Sequence, residues 1–374
     1  MRRAVFVHSA ELEKLHYPPD NPFKTERAAA TCRMLTSMGL LSEDEVLSPK
    51  PADRATLEKF HTPRYLDTML RAEQGQLDVD GLYMGLGSAE CPVFVGMYEY
   101  AALACGATLA GAEEILAGRA EAAFNPSGGY HHAGPEKASG FCYLNDIVLA
   151  CMALTAAHKR VLFLDVDVHH CDGVQDAFYD RSDVLTMSFH ESGRTLFPGT
   201  GFVNEIGEGP GRGYSVNVPL PPGTYDEAYL RAFRAVAIPI TNAFDPDVIV
   251  MEVGMDCLSG DPLAHLSLTN NAYAEVVSEM VRFGKPVLAT GGGGYHPENT
   301  ARGWALVWTV LSGRESEQDV SHGLGGVLLE STDWKGGLRD RAVVTRAEDR
   351  AALDAAIDRT IEAVKKNVFA IHGL

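Results

Sequence analysis

Residues 161–172 read Val-Leu-Phe-Leu-Asp-Val-Asp-Val-His-His-Cys-Asp, an apolar run that passes directly into carboxylates and imidazoles. If the strand begun at Val161 continues through Val168, alternation sends Asp165, Asp167 and His169 to one side. Two carboxylates and an imidazole then converge where the strand ends, which is a metal site in outline. Such donors suit Zn²⁺, Mn²⁺ or Fe²⁺, and a mononuclear hydrolytic zinc needs three protein ligands with a fourth position open. Asp167 and His169 supply two, so a third must come from elsewhere. The plainer reading makes the aspartates loop caps and His169 a surface histidine. It weakens here because so many acidic and imidazole groups beside a buried strand cost heavily in desolvation unless a cation or protons offset them.

Outward from this stretch, short apolar or β-branched runs recur at Ala4–Val7, Ala122–Asn125, Val184–Phe189, Tyr214–Val218, Val248–Val253 and Val287–Thr290. Helical spacing fills the intervals Tyr98–Ala117, Leu144–Ala156, Tyr225–Ala243 and Asn271–Phe283. Strands alternating with helices predict an α/β fold with a mostly parallel central sheet flanked by helices on both faces. In such sheets ligands gather beyond the carboxyl ends of the strands. Residues 346–368 read as an amphipathic helix with Ala351, Leu353, Ala356, Ile357, Ile361 and Val364 facing the core, and Leu77–Pro92 as a long loop suited to a site rim.

No linker, repeat or low-complexity tract divides the 374 residues, so one domain spanning 1–374 is expected. No apolar run reaches the ~18 residues of a membrane helix. The stretch after Arg2 and Arg3 is too short for a secretory signal, which makes a cytoplasmic location the default. Seven cysteines without a Cys-x-x-Cys pair point to reduced, mostly buried thiols. Cys171 and Cys257, each near a proposed ligand, read as packing residues. A formal charge of −18 repels phosphate backbones, so nucleic acid is not an expected partner.

Three further motifs follow strands. Gly128-Gly129-Tyr130-His131-His132-Ala133 can deliver both imidazoles to one site only if its glycines make a turn, because neighbouring side chains on a strand oppose one another. Gly254-Met255-Asp256 offers Asp256 as the natural third ligand, since it ends a later strand on the same rim; an ordinary turn-starting aspartate is the alternative. Gly291-Gly292-Gly293-Gly294-Tyr295-His296 lacks the spacing of a phosphate or dinucleotide loop. Its glycines permit close backbone approach and bring Tyr295 to the rim as a hydrogen-bond donor.

Taken together, Gly128–Ala133, Ser139–Asp146, Asp165–Gly173, Phe197–Gly201, Gly254–Pro262 and Gly291–Arg302 resemble the zinc-dependent histone deacetylase superfamily, including the bacterial acetoin-utilisation deacetylases, over about His8 to Trp308. The resemblance implies an arginase/deacetylase-like fold and a metal-dependent amidohydrolase that removes acyl groups, acetyl above all, from N-ε-acyl-lysine. It further implies Asp167, His169 and Asp256 as ligands of zinc or Fe²⁺, and Tyr295 polarising the acyl carbonyl. His131 and His132 match the tandem catalytic histidines, with Asp165 and Asp172 as their carboxylate partners. Phe141, Phe197, Gly140 and Leu263 correspond to the walls of an acyl-lysine tunnel. A potassium ion is implied near Asp165, with Asp167, His169, Ser188 and backbone carbonyls. The chain departs from the pattern at Cys171, where Gly is usual, at Glu252, where a neutral residue such as Gln is common, and at Glu90, which replaces a substrate-holding aspartate.

Glu90 leaves open whether the substrate is acylated lysine in proteins and peptides or an acetylated small amine such as an acetylpolyamine. A dinuclear manganese ureohydrolase shares the architecture but needs more bridging carboxylates, and a non-catalytic acyl-lysine sensor has no use for a proton relay. The oligomeric state is not legible in the sequence.

Overall fold

The computed structural model describes residues 2–316 and 337–374. Among them, eight strands form one sheet: β1 (Ala4–Val7), β2 (Val46–Leu47), β3 (Ala122–Asn125), β4 (Val161–Asp165), β5 (Val184–Glu191), β6 (Ser215–Leu220), β7 (Val248–Glu252) and β8 (Val287–Thr290). Their order is β2-β1-β3-β8-β7-β4-β5-β6, and every pairing is parallel. The molecule is therefore the expected α/β domain. Residues 317–336, which the expected 1–374 span includes, lie outside the described residues.

The central strands β4 and β7 are apolar up to their last residues because both faces are covered. In β4, Leu162 and Leu164 join one core with Tyr229 and Phe233 of the helix Asp226–Phe244 and Trp304 and Trp308 of the helix Pro297–Ser312. Val161 and Phe163 join the opposite core with Ile147, Cys151 and Leu154 of the helix Asp146–Ala156 and Ile115 of the helix Met97–Leu116. Cys257 and Cys171 pack into these two cores respectively, and all seven cysteines are free thiols. A third cluster, with Tyr17, Phe23, Tyr65 and Tyr143, lies under the loops at one end of the sheet.

Register sets the position of the site. Asn125 pairs with Thr290, Thr290 with Glu252, Glu252 with Asp165 and Asp165 with Ser188, so the carboxyl ends of four neighbouring strands finish level, while β5 passes the row at Ser188 and runs on to Glu191. The loops that carry the His-His pair, Asp167 and His169, Asp256 and Tyr295 leave from this row.

β4 stops three residues earlier than its pattern suggested. Asp165 Oδ1 accepts from the Asp167 amide (3.0 Å) and Asp167 Oδ1 from the His169 amide (2.9 Å). These aspartate-to-backbone turns replace the sheet ladder, and it is they, rather than strand alternation, that gather the three side chains. The Leu77–Pro92 segment contains one helical turn, Val79–Tyr83, capped by Asp78. The last long helix runs Ala347–Val368; Ile357, Ile361 and Val364 are buried, Leu353 and Ala356 half-buried, but Ala351 is exposed. No helix among the described residues is long and apolar enough to cross a membrane.

Candidate active site

His169 Nδ1 lies 3.1 Å from Asp167 Oδ1 and 3.1 Å from Asp256 Oδ2, and one ligand atom from each of the three lies within 4.8 Å of the others. All three residues are buried. Backbone amides hold the carboxylates in place: Gly293 donates to Asp167 Oδ2 (2.7 Å) and Val168 to Asp256 Oδ1 (2.9 Å). One imidazole and two carboxylates converging out of water are the donor set of an open divalent-metal site. Without a cation the group is held together by a proton. Burial disfavours a charge on His169, but its hydrogen bonds to Asp167 and Asp256 outweigh this and lift its pKa to about 10. Burial, then the charge of Asp167, raises Asp256 to about 7. A cation must displace these protons, so affinity is expected to rise with pH through the range from about 7 to 10. Calorimetric zinc titrations in buffers of different ionisation enthalpy should show net proton release near pH 7, and zinc uptake without proton release there would contradict this protonation scheme.

The two adjacent histidines reach the same place because the chain turns after β3. Gly129 has φ +99°, and a Cβ there would lie 2.5 Å from the Gly291 carbonyl oxygen. Asp146, buried at the start of its helix, accepts from the amides of Gly129 and Tyr130 and from Thr108 Oγ1, pinning the turn. His132 Nδ1 meets Asp172 Oδ1 at 2.6 Å and His131 Nδ1 meets Asp165 Oδ2 at 3.2 Å, while the two Nε2 atoms are 3.0 Å apart. Burial and then the charge of His131 lower the His132 pKa to about 4. Burial opposes a charge on His131, but Glu252 and Asp165 overcome it and raise its pKa well above the usual value. The two shifts run in opposite directions, toward a neutral His132 and a protonated His131. Burial tends to raise Asp172, but the adjacent His132 keeps it below the usual carboxylate range.

Tyr295 follows the four glycines. Its ring centroid is 6.4 Å from that of His169 and 5.6 Å from that of Phe141, and its amide donates to Asp261 Oδ2 (2.7 Å). Burial, then the charges of Asp256 and Asp167, push its pKa well up, so the phenol stays a donor. The glycine loop is clamped from behind by Arg27, which donates to the carbonyls of Gly294 (2.7 Å) and Gly292 (3.1 Å) between the rings of Phe23 and Trp304. Sequence reasoning passed over Arg27 and the role of Asp146. The available signals were an arginine opening an otherwise apolar helical stretch and an aspartate directly after an Asn cap.

A pocket of about 320 Å³ opens above these groups, lined by His132, His169, Tyr295, Gly140, Phe141, Phe197, Leu263 and, at its rim, Glu90. The Phe197 ring lies 4.9 Å from that of His132. Gly140 has no room for a side chain, because a Cβ would meet His132 Cδ2 at 2.3 Å. Phe141 adopts φ +65°, uncommon for a non-glycine residue, and its carbonyl is tied down by Tyr17 Oη (2.6 Å). Glu90 accepts from the Gly140 amide (3.2 Å), which anchors its carboxylate to the pocket wall. Ser188 Oγ lies 3.3 Å from Asp165 Oδ2, below the main group. Of the site residues singled out in the sequence, Glu90, His132, Gly140, Phe141, His169, Phe197, Leu263 and Tyr295 line this pocket, and His131, Asp165, Asp167, Asp172 and Asp256 are linked to it by contacts to His132 and His169 or to one another.

Comparison with known proteins agrees with this geometry. Residues 21–311 match the histone deacetylase domain. The chain is 40% identical over 318 residues to Histone deacetylase 8 of Xenopus tropicalis, covering 84% of this chain and 86% of that protein. It is 38% identical over 329 residues to the acetoin utilization protein AcuC of Bacillus subtilis, covering 86% and 85%. A crystal structure of a histone deacetylase homologue from Aquifex aeolicus superposes with a TM-score of 0.86 at 34% identity, covering 97% of this chain and 99% of that one. With the domain match spanning most of the sheet and all of the pocket, this chain belongs to the histone deacetylase family of hydrolases.

Proposed function

We propose that this protein hydrolyses N-ε-acyl-lysine, with acetyl-lysine in proteins or peptides as its main substrate. The observation that carries the reading is the stacking of three layers in one pocket: two phenyl-bearing walls, a phenol beside a neutral imidazole, and a buried Asp-His-Asp donor set. Asp167, His169 and Asp256 would hold zinc, or Fe²⁺, which when bound acts as a Lewis acid on the acyl carbonyl and lowers the pKa of water.

The chain's own residues do the rest. His132, whose Nδ1 faces Asp172, offers Nε2 to take the proton of the attacking water and later returns one to the departing lysine amine. His131, kept cationic beside Asp165, stabilises the negative charge that develops. Tyr295 Oη donates to the same oxygen, and Arg27 and Asp261 fix the loop that carries it. Phe141 and Phe197 sheathe the four-carbon lysine stem, worth ~0.8 kcal/mol per methylene, with Gly140 and Leu263 completing the wall. Asp165 and Ser188, with nearby backbone carbonyls, offer the oxygen ligands that a potassium ion prefers.

Glu90 favours a second reading. A carboxylate at the rim of a protein with net charge −18 also suits the cationic tail of an acetylated diamine. Comparing kcat/KM on acetyl-lysine peptides and acetylated diamines, with metal content measured on the same sample, separates the two. Higher values for peptides, abolished by a chelator and restored by zinc, are expected. A strong diamine preference would replace the lysine assignment with acetylpolyamine hydrolysis.

A further inference from the structure

β5 runs on past the row of strand ends and finishes at Glu191, a buried residue whose amide donates to the Val168 carbonyl (2.8 Å). A carboxylate out of water is tolerated when donors surround it, so the origin of those donors matters. Oε1 accepts from Thr195 Oγ1 (3.0 Å) and faces His265 Nδ1 (3.0 Å), while Oε2 accepts from the His265 amide (3.0 Å). An ionised carboxylate only accepts, so Nδ1 is the donor in that contact.

These donors come from two loops far apart in the chain, and each loop carries a wall of the pocket. Thr195 directly precedes Leu196 and Phe197, and His265 lies just beyond Leu263. Among the described residues no other side chain hydrogen-bonds to both loops. The second loop is also tied at its start, where Asp261 Oδ1 accepts from the Leu263 amide (2.9 Å) and Oδ2 from the Tyr295 amide (2.7 Å). Leu263 is therefore held between two carboxylates, one fixed to the tyrosine loop and the other to the Phe197 loop. Thr195 is exposed and the His265 side chain is 61% exposed, so packing does little to hold either, and the buried carboxylate locates both.

We propose that Glu191 is a positioning residue that braces the Phe197 loop against the Leu263 loop, through Thr195 and His265, and so sets the width of the sleeve around the lysine stem. The inference rests on the reading of Phe197 and Leu263 as walls of an acyl-lysine sleeve, and its test separates the two. The Glu191 carboxylate hydrogen-bonds to no catalytic or metal-ligating residue. Its loss should weaken the grip on the stem and spare the chemical step.

Full-length, zinc-loaded protein is compared with two variants. Glu191→Gln keeps the shape but presents an amide donor where the carboxylate accepts. Thr195→Val/His265→Ala cuts both side-chain ties at exposed positions. Each protein is assayed on an acetyl-lysine peptide and titrated calorimetrically with acetohydroxamate, which has no stem, and octanohydroxamate, whose linear chain fills the sleeve. Both variants should raise KM by about 4–15-fold at unchanged kcat, the effect of losing the burial of one or two methylenes. The Kd of octanohydroxamate should rise by a similar factor while that of acetohydroxamate stays at the wild-type value. Thr195→Ser/His265→Asn, which keeps a donor at each tie, should restore wild-type values. Unchanged KM and Kd in the double variant overturn the brace, and this variant decides the matter where Glu191→Gln fails to fold. A loss confined to kcat, or shared equally by both hydroxamates, also overturns it, because the effect then lies at the metal and its neighbours. A wild type that binds the two hydroxamates alike overturns the sleeve reading and the brace with it, whereas unchanged variants of a wild type that prefers octanohydroxamate overturn the brace alone.

Discussion

Tyr295→Phe is expected to lower kcat on an acetyl-lysine peptide by about 10²–10³-fold, equivalent to about 2.7–4 kcal/mol of barrier, with zinc content and KM little changed. Only one atom is lost. The ring still packs 5.6 Å from Phe141, and its amide still donates to Asp261, so the pocket keeps its shape. What disappears is a donor kept protonated by burial and by the charges of Asp256 and Asp167, beside the place where the acyl oxygen gains negative charge. A loss appearing in kcat rather than KM would mark an interaction made in the transition state. Steady-state kinetics with metal analysis measures both, and wild-type turnover in the variant would remove Tyr295 from the chemistry.

His132→Ala is expected to cost about 10²–10⁴-fold in kcat, again with zinc retained, because a positioned general base and acid is lost while the Asp167, His169 and Asp256 donors are untouched. The low pKa of His132, about 4, adds a pH signature. A base whose pKa is depressed stays neutral until the pH falls to that value. The wild type should therefore keep the base competent below the usual histidine range of about 6.5, with its acid limb shifted down accordingly. His131→Ala should behave differently. It removes the cation that helps to lower His132, so it should lose activity by charge stabilisation while shifting the remaining acid limb upward. Equal loss and identical pH profiles in the two variants would show that the division of labour between the imidazoles is wrong.

Much of this architecture can be read from the chain because the sheet is parallel and buried. Strands covered on both faces are continuous apolar runs, and Ala4–Val7, Ala122–Asn125 and Val287–Thr290 begin and end where their composition changes. The two-residue edge strand Val46–Leu47 carries no such signal. The loops after the strands were legible as motifs, but their shapes were not. Asp165 and Asp167 use their carboxylates to bend the backbone, a choice that alternation cannot anticipate. Asp146 and Arg27 act across long sequence separations on the amides and carbonyls of the His-His and glycine loops. Their importance depends on which loop lies against them in the folded chain. Glu252 was visible only as an unusual charge, and its burial without a hydrogen-bond partner is a property of the fold.

The most direct test of the account is a crystal structure of zinc-loaded Tyr295→Phe with an uncleaved acetyl-lysine peptide, recorded with anomalous scattering at the zinc edge. The account predicts a zinc peak between Asp167, His169 and Asp256, the lysine stem between Phe141 and Phe197, and the acetyl carbonyl pointing at the ion beside residue 295. A zinc peak away from those three side chains, or a peptide bound outside the pocket, would contradict it.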